Sequence, residues 1–184
     1  MEKINTKEKI VKFNNFSEFV EYIENKTDNN TFLIIDIDGV LVKMDINLFL
    51  KGLFFYLFNK TKFKKFIQEH KINFNNLKNL IKLSKKGINI ILFTGRLKSE
   101  NKNFFPFISK NFIEKLQKYN ISVITHHKII NLFPQELFNK IENSNKIFYL
   151  GSNILDRNMF NKLKSKIKNK VLEYFEIKQK TEIF

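Results

Sequence analysis

The sequence predicts an α/β fold in which helices cover both faces of a central parallel sheet. Short apolar runs alternate with amphipathic helical segments along the chain, an order that is typical of parallel sheets. Most of these runs are apolar at nearly every position, as expected of strands that are buried on both faces. Polar clusters follow directly where the runs end. At 184 residues, the chain is expected to form a single domain with a modest insertion.

The first expected elements are a helix and an apolar strand. Residues 1–13 are polar and basic and are expected to fray. Asn15 and Glu18 have the spacing of a capping box, and apolar residues follow at helical spacing. These apolar residues are Phe16, Phe19, Val20 and Ile23. The stretch Phe32–Val42 then reads F-L-I-I-D-I-D-G-V-L-V, which predicts a buried strand that delivers two aspartates to a loop.

Met44–Phe58 is the least conventional stretch of the chain. It is mostly apolar, is interrupted by Lys51 and Gly52, and is too short to span a bilayer. Four lysines follow it within residues 60–65. Three interpretations are open. The stretch forms a pair of helices packed over the domain, an interfacial helix with basic anchors, or a surface for a partner. Apolar residues on nearly every face of Leu48–Phe58 favour burial, because an interfacial helix would show a polar face.

Four further strands and the helices between them complete the predicted sheet. The strands are expected at Ile88–Phe93, Ile121–Thr125, Lys146–Leu150 and Val171–Ile177. Helices are expected over residues 77–84, 108–116, 134–141 and 155–167. Leu97–Asn103 reads as a polar loop. Because ligands of parallel sheets bind beyond the carboxyl ends of the strands, the polar clusters at those ends are expected to form the functional site.

Composition narrows the classes of function. The chain has no cysteine, which excludes thiolate catalysis, disulfides and cysteine-based zinc sites. The formal net charge of +15 favours anionic substrates, yet 31 of the 33 basic residues are lysine. Since proteins that read nucleic acids usually recruit arginine, codon bias explains the charge better than a dedicated nucleic-acid surface.

The N-terminal residues M-E-K-I-N-T-K-E-K-I are charged and contain no apolar core. They predict neither a signal peptide nor a transmembrane start. A cytoplasmic protein is therefore expected, without an indication of its oligomeric state.

Five side chains at predicted strand ends suit phosphoryl transfer. They are Asp36, Asp38, Thr94, Lys128 and Asp156. One carboxylate can attack phosphorus to form an acyl phosphate, and its neighbour can protonate the leaving oxygen and later deprotonate the attacking water. A hydroxyl and a lysine can hold the phosphoryl oxygens, while a divalent cation neutralises charge. Hard oxygen ligands indicate magnesium.

The order of these motifs resembles the haloacid dehalogenase-like (HAD) superfamily, whose members are mostly phosphatases. The motifs are D-I-D-G-V at 36–40, F-T-G-R at 93–96, a lysine after the third strand and L-G-S-N-I-L-D at 150–156. The resemblance covers roughly residues 32–177. It implies a Rossmann-like three-layer sandwich with a small helical cap insertion at about Lys43–His70, where the family's cap helps to choose the substrate.

The resemblance also implies roles for individual residues. Asp36 would be the nucleophile, Asp38 the general acid and base, and Lys128 the third catalytic residue. Thr94, with Gly95 and Arg96 beside it, would bind the substrate, and the arginine suits bidentate contact with a phosphate or carboxylate. Magnesium would be held by Asp36, Asp38 and Asp156.

The chain departs from the family's pattern in its fourth motif. Ser152 follows Gly151 where the family usually has an acid that helps to bind magnesium, which predicts weaker metal binding. Lys140, on the helix before the fourth strand, is the alternative to Lys128 as the site lysine. Two histidines at positions 126 and 127 are interpreted as loop residues, and Arg157 is expected to form a surface pair near Asp156.

The leading interpretation is magnesium-dependent hydrolysis of a small phosphorylated substrate through an aspartyl-phosphate intermediate. A catalytically weak phosphate-binding or regulatory protein is an alternative, because of Ser152. A nucleic-acid end-processing phosphatase or binder is another, because of the charge and the small insertion. A membrane-surface or partner-bound protein that uses Leu48–Phe58 is the least favoured.

Overall fold

A computed structural model describes residues 10–28, 30–42, 46–69, 74–100, 107–125, 133–152, 154–167 and 170–178. The strands are β1 (Val11–Phe13), β2 (Thr31–Asp36), β3 (Asn89–Thr94), β4 (Leu97–Ser99), β5 (Phe107–Ser109), β6 (Ile121–Thr125), β7 (Lys146–Gly151) and β8 (Val171–Ile177). The helices are α1 (Phe16–Glu24), α2 (Ile46–Phe58), α3 (Lys60–Glu69), α4 (Phe74–Lys85), α5 (Lys110–Gln117), α6 (Gln135–Ile141) and α7 (Ile154–Lys166).

The main sheet has six strands in the order β1-β8-β7-β2-β3-β6, and every neighbouring pair is parallel. From β2 the chain moves outward to β3 and β6, and then returns across β2 to form β7 and β8. The strand order therefore reverses between β2 and β7. In open α/β sheets a crevice forms at such a point, beyond the carboxyl ends of the two strands.

Two apolar layers cover the sheet, which confirms the predicted α/β sandwich. Alternate residues of β2 point to opposite faces: Leu33 and Ile35 join one core cluster and Ile34 joins the other. Helices α1 and α4 supply the first cluster with buried side chains such as Phe19 and Leu80. Helices α6 and α7 supply the second.

The first strand corrects an expectation from the sequence. The chain was expected to fray through residue 13, but Val11–Phe13 forms β1 and pairs with β8. The ring of Phe13 lies 5.4 Å from that of Phe19 and 6.1 Å from that of Phe175. Backbone pairing at the sheet edge and this aromatic packing hold the segment in place.

Asn15 caps α1 as predicted, and Glu18 completes the cap with a small difference from a capping box. The Asn15 side chain accepts a hydrogen bond from the Glu18 backbone N–H at 3.0 Å, which satisfies a donor of the first helical turn. The Glu18 carboxylate accepts one from the N–H of Asn14, the residue before the N-cap, at 2.8 Å.

The segment after β3 differs from the prediction. Leu97–Ser99, expected to be loop, forms β4 and pairs in parallel with β5. The following helix was expected from residue 108, but α5 begins at Lys110. The reason is the Ser109 hydroxyl, which caps α5 by accepting a hydrogen bond from the Phe112 N–H at 3.2 Å.

Residues 46–69 form the predicted pair of helices, α2 and α3. The two helices pack through aromatic side chains: the rings of Tyr56 and Phe63 are 5.2 Å apart and those of Phe55 and Phe66 are 6.2 Å apart. Part of α2, including Leu48, also packs on the core.

Burial of all faces of α2 was expected, and this is wrong for one face. Leu50, Phe54, Leu57 and Phe58 are exposed, because the other sides of α2 make its contacts with α3 and the core. In the part of the chain that the structure describes, no helix has the length and apolar character needed to cross a membrane.

Candidate active site

The site begins where β2 ends. Asp36 is its last residue and is fully buried. The chain then turns tightly: the Gly39 N–H donates to the Val42 carbonyl at 2.7 Å, and Asp38 forms a bridge with Val42. Gly39 has a φ of 92°, a left-handed conformation that glycine adopts without steric cost. This turn directs Asp38 back across the end of the sheet.

Arg96 clamps the carboxyl ends of β2 and β3 together. Its Nη2 donates to Asp38 Oδ1 at 2.7 Å, and its Nε lies 3.2 Å from both carboxylate oxygens. The Arg96 backbone N–H donates to the buried Thr94 hydroxyl at 3.2 Å. Side-chain exposure is only 5% for Arg96 and 14% for Asp38. The sequence predicted an arginine suited to a phosphate or carboxylate, and in this structure its partner is a carboxylate of the same chain.

Ser152 connects the end of β7 to that of β2. Its backbone N–H donates to Asp156 Oδ2 at 2.8 Å, and its hydroxyl lies 3.4 Å from the Asp38 carbonyl oxygen and 3.4 Å from the same carboxylate oxygen. Asp156 is fully buried in the first turn of α7, where the helix dipole favours a negative charge. Ser152 thus links the ends of β2 and β7 through hydrogen bonds and does not add a further carboxylate to the site.

Gly151 permits this arrangement by its lack of a side chain. A Cβ atom at this position would lie 2.5 Å from the Cβ of Asp156 and 2.8 Å from the hydroxyl oxygen of Tyr174. Both distances are shorter than side chains tolerate. The close approach brings Asp156 against the end of β7.

Two buried phenols lie beneath the acids. Burial raises the pKa of Tyr149 well above its ordinary value, and the negative charges of Asp156 and then Asp36 raise it further. Burial is also the main cause that raises the pKa of Tyr174, followed by the charge of Asp156. Both hydroxyls therefore stay protonated at neutral pH and add no negative charge to the site. The Tyr149 hydroxyl has no hydrogen-bond partner among the described residues.

The sequence alone did not single out these phenols. The observation that points to them is spacing: Tyr149 precedes Gly151 by two residues and so shares its strand face, and Tyr174 is paired with Tyr149 on β8. Their rings are stacked with centroids 6.0 Å apart.

The acids at this edge of the sheet fit magnesium only in part. Among the residues that the structure describes, no three acidic or histidine side chains are grouped so that they could hold a metal ion. The predicted set of Asp36, Asp38 and Asp156 is not grouped in this way, and the Asp38 carboxylate is paired with Arg96. Asp36 and Asp156 supply two carboxylates, and Ser152 Oγ and the Asp38 carbonyl supply neutral oxygens nearby. One or two carboxylates with neutral oxygens suit magnesium, which keeps several waters.

The other residues of the predicted site are Lys128, its alternative Lys140, and Gly95. Lys128 and the two histidines before it fall outside the described residues, so the lysine stays a prediction. Lys140 lies in the last turn of α6. Gly95 is exposed between Thr94 and Arg96.

Arg157, next to Asp156, forms an ion pair as the sequence predicted, and its partner is Glu176 on β8. Lys12 on β1 donates to the same Glu176 carboxylate at 2.8 Å. Burial alone would raise the pKa of Glu176, but the hydrogen bonds from Lys12 and Arg157 outweigh it and hold the pKa below its ordinary value. The carboxylate thus ties β1, β8 and α7 together.

Glu176→Gln is expected to weaken the dependence of stability on pH. A carboxyl group whose pKa is lowered by folding stabilises the fold above its unfolded pKa, and this contribution is lost as the pH falls through the folded pKa. The variant should therefore melt at a lower temperature than wild type at neutral pH and lose less stability on acidification to about pH 3. Thermal melts monitored by circular dichroism measure both effects. Glu173→Gln on the same strand is the control, and equal acid sensitivity of wild type and Glu176→Gln would contradict the assignment.

The comparisons with known proteins add no further evidence on the site. No protein-family model, no curated protein and no solved structure matches the chain.

Proposed function

We propose that the chain hydrolyses small phosphomonoesters through a phosphoaspartate formed on Asp36. The observation that carries the proposal is the position of this buried carboxylate. It lies at the carboxyl end of a central strand, at the point where strand order reverses, with a second buried carboxylate, Asp156, after the neighbouring strand. Burying carboxylates costs free energy, and such clusters occur preferentially at functional sites. The resemblance to the HAD superfamily supports the same chemistry.

The reaction has two steps in this proposal. The Asp36 carboxylate attacks phosphorus, the bond from phosphorus to the ester oxygen breaks, and Asp38 gives the leaving oxygen a proton. Water then gives a proton back to Asp38 and attacks the phosphorus of the acyl phosphate. This attack releases inorganic phosphate and regenerates the Asp36 carboxylate.

Substrate binding would require Arg96 to change partners. Its guanidinium, now paired with Asp38, suits the oxygens of a phosphate equally well. A bound phosphate would take over the arginine, and the released Asp38 carboxylate would take up a proton from solvent before it acts as the general acid. The Thr94 hydroxyl, buried beside the Arg96 backbone, and the predicted Lys128 would hold further phosphoryl oxygens.

Asp36 and Asp156 are the residues that would hold magnesium. The ion would supply neutralisation of the charge between the carboxylates and the phosphate.

Hydrolysis of p-nitrophenyl phosphate tests the proposal. We expect turnover that depends on magnesium and disappears when a chelator removes it. Absence of turnover at every magnesium concentration would overturn the proposal. In that case, a rise in melting temperature on addition of inorganic phosphate would support the second candidate, a phosphate-binding protein without turnover. The pairing of Asp38 with Arg96 is the observation that favours this candidate.

Ser152→Asp is expected to strengthen magnesium binding by at least about tenfold, because it adds an acid next to Asp156. Without magnesium the added charge repels its neighbours, so the variant should melt at a lower temperature than wild type. Magnesium should restore the melting temperature by more than it raises that of wild type. Ser165→Asp, on the exposed side of α7, is the matched control. An equal response of the two variants to magnesium would argue against a cation at this position.

A further inference from the structure

Helix α2 presents a continuous apolar face to solvent. Leu50, Phe54, Leu57 and Phe58 recur at spacings of four, three and one residues, which places them on one side of the helix. Their exposed fractions are 56%, 57%, 60% and 72%. The rings of Phe54 and Phe58 lie 5.1 Å apart. We call these four residues the α2 apolar face.

An exposed apolar face of this kind is typical of a surface that binds a partner or a membrane. Single exposed apolar residues are ordinary, but a contiguous exposed patch marks a site of interaction. Transfer of two phenylalanine rings and two leucine side chains from water to an apolar environment is favourable in free energy.

Exposed lysines lie on α2, which carries the α2 apolar face, and on α3. Residues 46–69 contain five lysines and a single acidic residue, Glu69. The lysines are Lys51, Lys60, Lys62, Lys64 and Lys65, and all are exposed. Lysine stems can lie along apolar surface while the ammonium groups reach outward to water or to anions.

We propose that the α2 apolar face, together with these lysines, docks on an anionic lipid surface. Apolar side chains that enter the boundary between headgroups and acyl chains, with lysines beside the acidic headgroups, are features of a surface that binds anionic membranes. Lysines of α2 and α3 supply the basic part of this surface, because the other sides of α2 pack on α3 and the core. A second copy of the chain fits less well, because face-to-face pairing would bring two sets of lysines together. This inference does not depend on the proposed activity.

The α2 apolar face belongs to the segment that follows the candidate active site in the chain. Helix α2 begins at Ile46, four residues after Val42, and Val42 is bridged to Asp38. A stretch of this length spans at most about 14 Å, so the start of α2 lies within that distance of Val42.

Co-sedimentation with lipid vesicles tests the inference. We compare vesicles of phosphatidylcholine alone with vesicles that also contain phosphatidylserine. The chain should bind the anionic vesicles, and added salt should weaken the binding. Phe54→Ser/Phe58→Ser should lower the partition coefficient at least about tenfold, and Lys62→Glu/Lys65→Glu at least about 30-fold.

The matched control is Lys85→Glu/Lys118→Glu, which makes the same change in net charge at exposed lysines outside α2 and α3. It should bind more tightly than Lys62→Glu/Lys65→Glu, and circular dichroism should show that all variants are folded. Equal loss in both lysine variants would indicate a nonspecific effect of net charge and would overturn the proposal. So would unchanged binding of the phenylalanine variant, or a dimer in light scattering that the phenylalanine variant abolishes while vesicles do not bind.

Discussion

Replacing Asp36 by asparagine is expected to lower the hydrolysis of p-nitrophenyl phosphate by at least about 1000-fold. The amide cannot act as the nucleophile, although it has nearly the same shape as the carboxylate. Because the wild-type carboxylate is buried, removing its charge should not destabilise the fold, and thermal melts by circular dichroism check this. Single-turnover and steady-state assays with magnesium measure the loss.

Asp28→Asn is the matched control for this variant. Asp28 is exposed and accepts hydrogen bonds from Thr31 and the Asn30 backbone at the opposite end of β2. The control makes the same chemical change at the other end of β2 and should keep wild-type activity. Full activity in Asp36→Asn would remove the nucleophile from the proposed reaction.

Gly151→Ala is expected to destabilise the protein by about 2–4 kcal/mol. The new Cβ would meet the Cβ of Asp156 at 2.5 Å and the Tyr174 hydroxyl at 2.8 Å, so α7 or β8 would have to move. The melting temperature should fall by roughly 5–15 °C. Magnesium-dependent activity should fall as well, since Asp156 would be displaced.

A second substitution tests whether the clash with the Tyr174 hydroxyl causes the loss of stability in Gly151→Ala. Tyr174→Phe removes the hydroxyl oxygen that the new methyl group would strike, while the contact with Asp156 remains. Tyr174→Phe should therefore cost less stability in the Gly151→Ala background than in wild type. Strictly additive losses would show that the hydroxyl is not what resists the alanine.

Local sequence was enough to identify most of the sheet and the residues at its carboxyl edge. The run F-L-I-I before Asp36 could be recognised as a buried strand because it lacks the alternation of a half-exposed one. The same reasoning located β3, β6, β7 and β8 to within a residue or two. Since parallel strands end at one edge, the sequence also predicted that Asp36, Thr94 and Ser152 share that edge.

Local sequence did not identify β1 or the exposed face of α2. Strand β1 has only three residues, and its pairing partner is β8, at the far end of the chain. In α2, apolar residues on nearly every face concealed which side packs inward. Burial depends on which neighbours lie against a helix, and periodicity cannot reveal this when every face is apolar.

The sequence by itself thus determined the α/β class, the order of the main strands and helices, and the acids at the strand ends. Only the tertiary structure decided which groups those acids contact. The pair between Asp38 and Arg96 joins residues 58 apart in the chain, and the contact of Ser152 with the Asp38 carbonyl joins residues 114 apart. Apolar patterning is local and can be read along the chain, whereas the partner of a charged side chain is set by distances of a few ångströms that arise only when distant strands pack side by side.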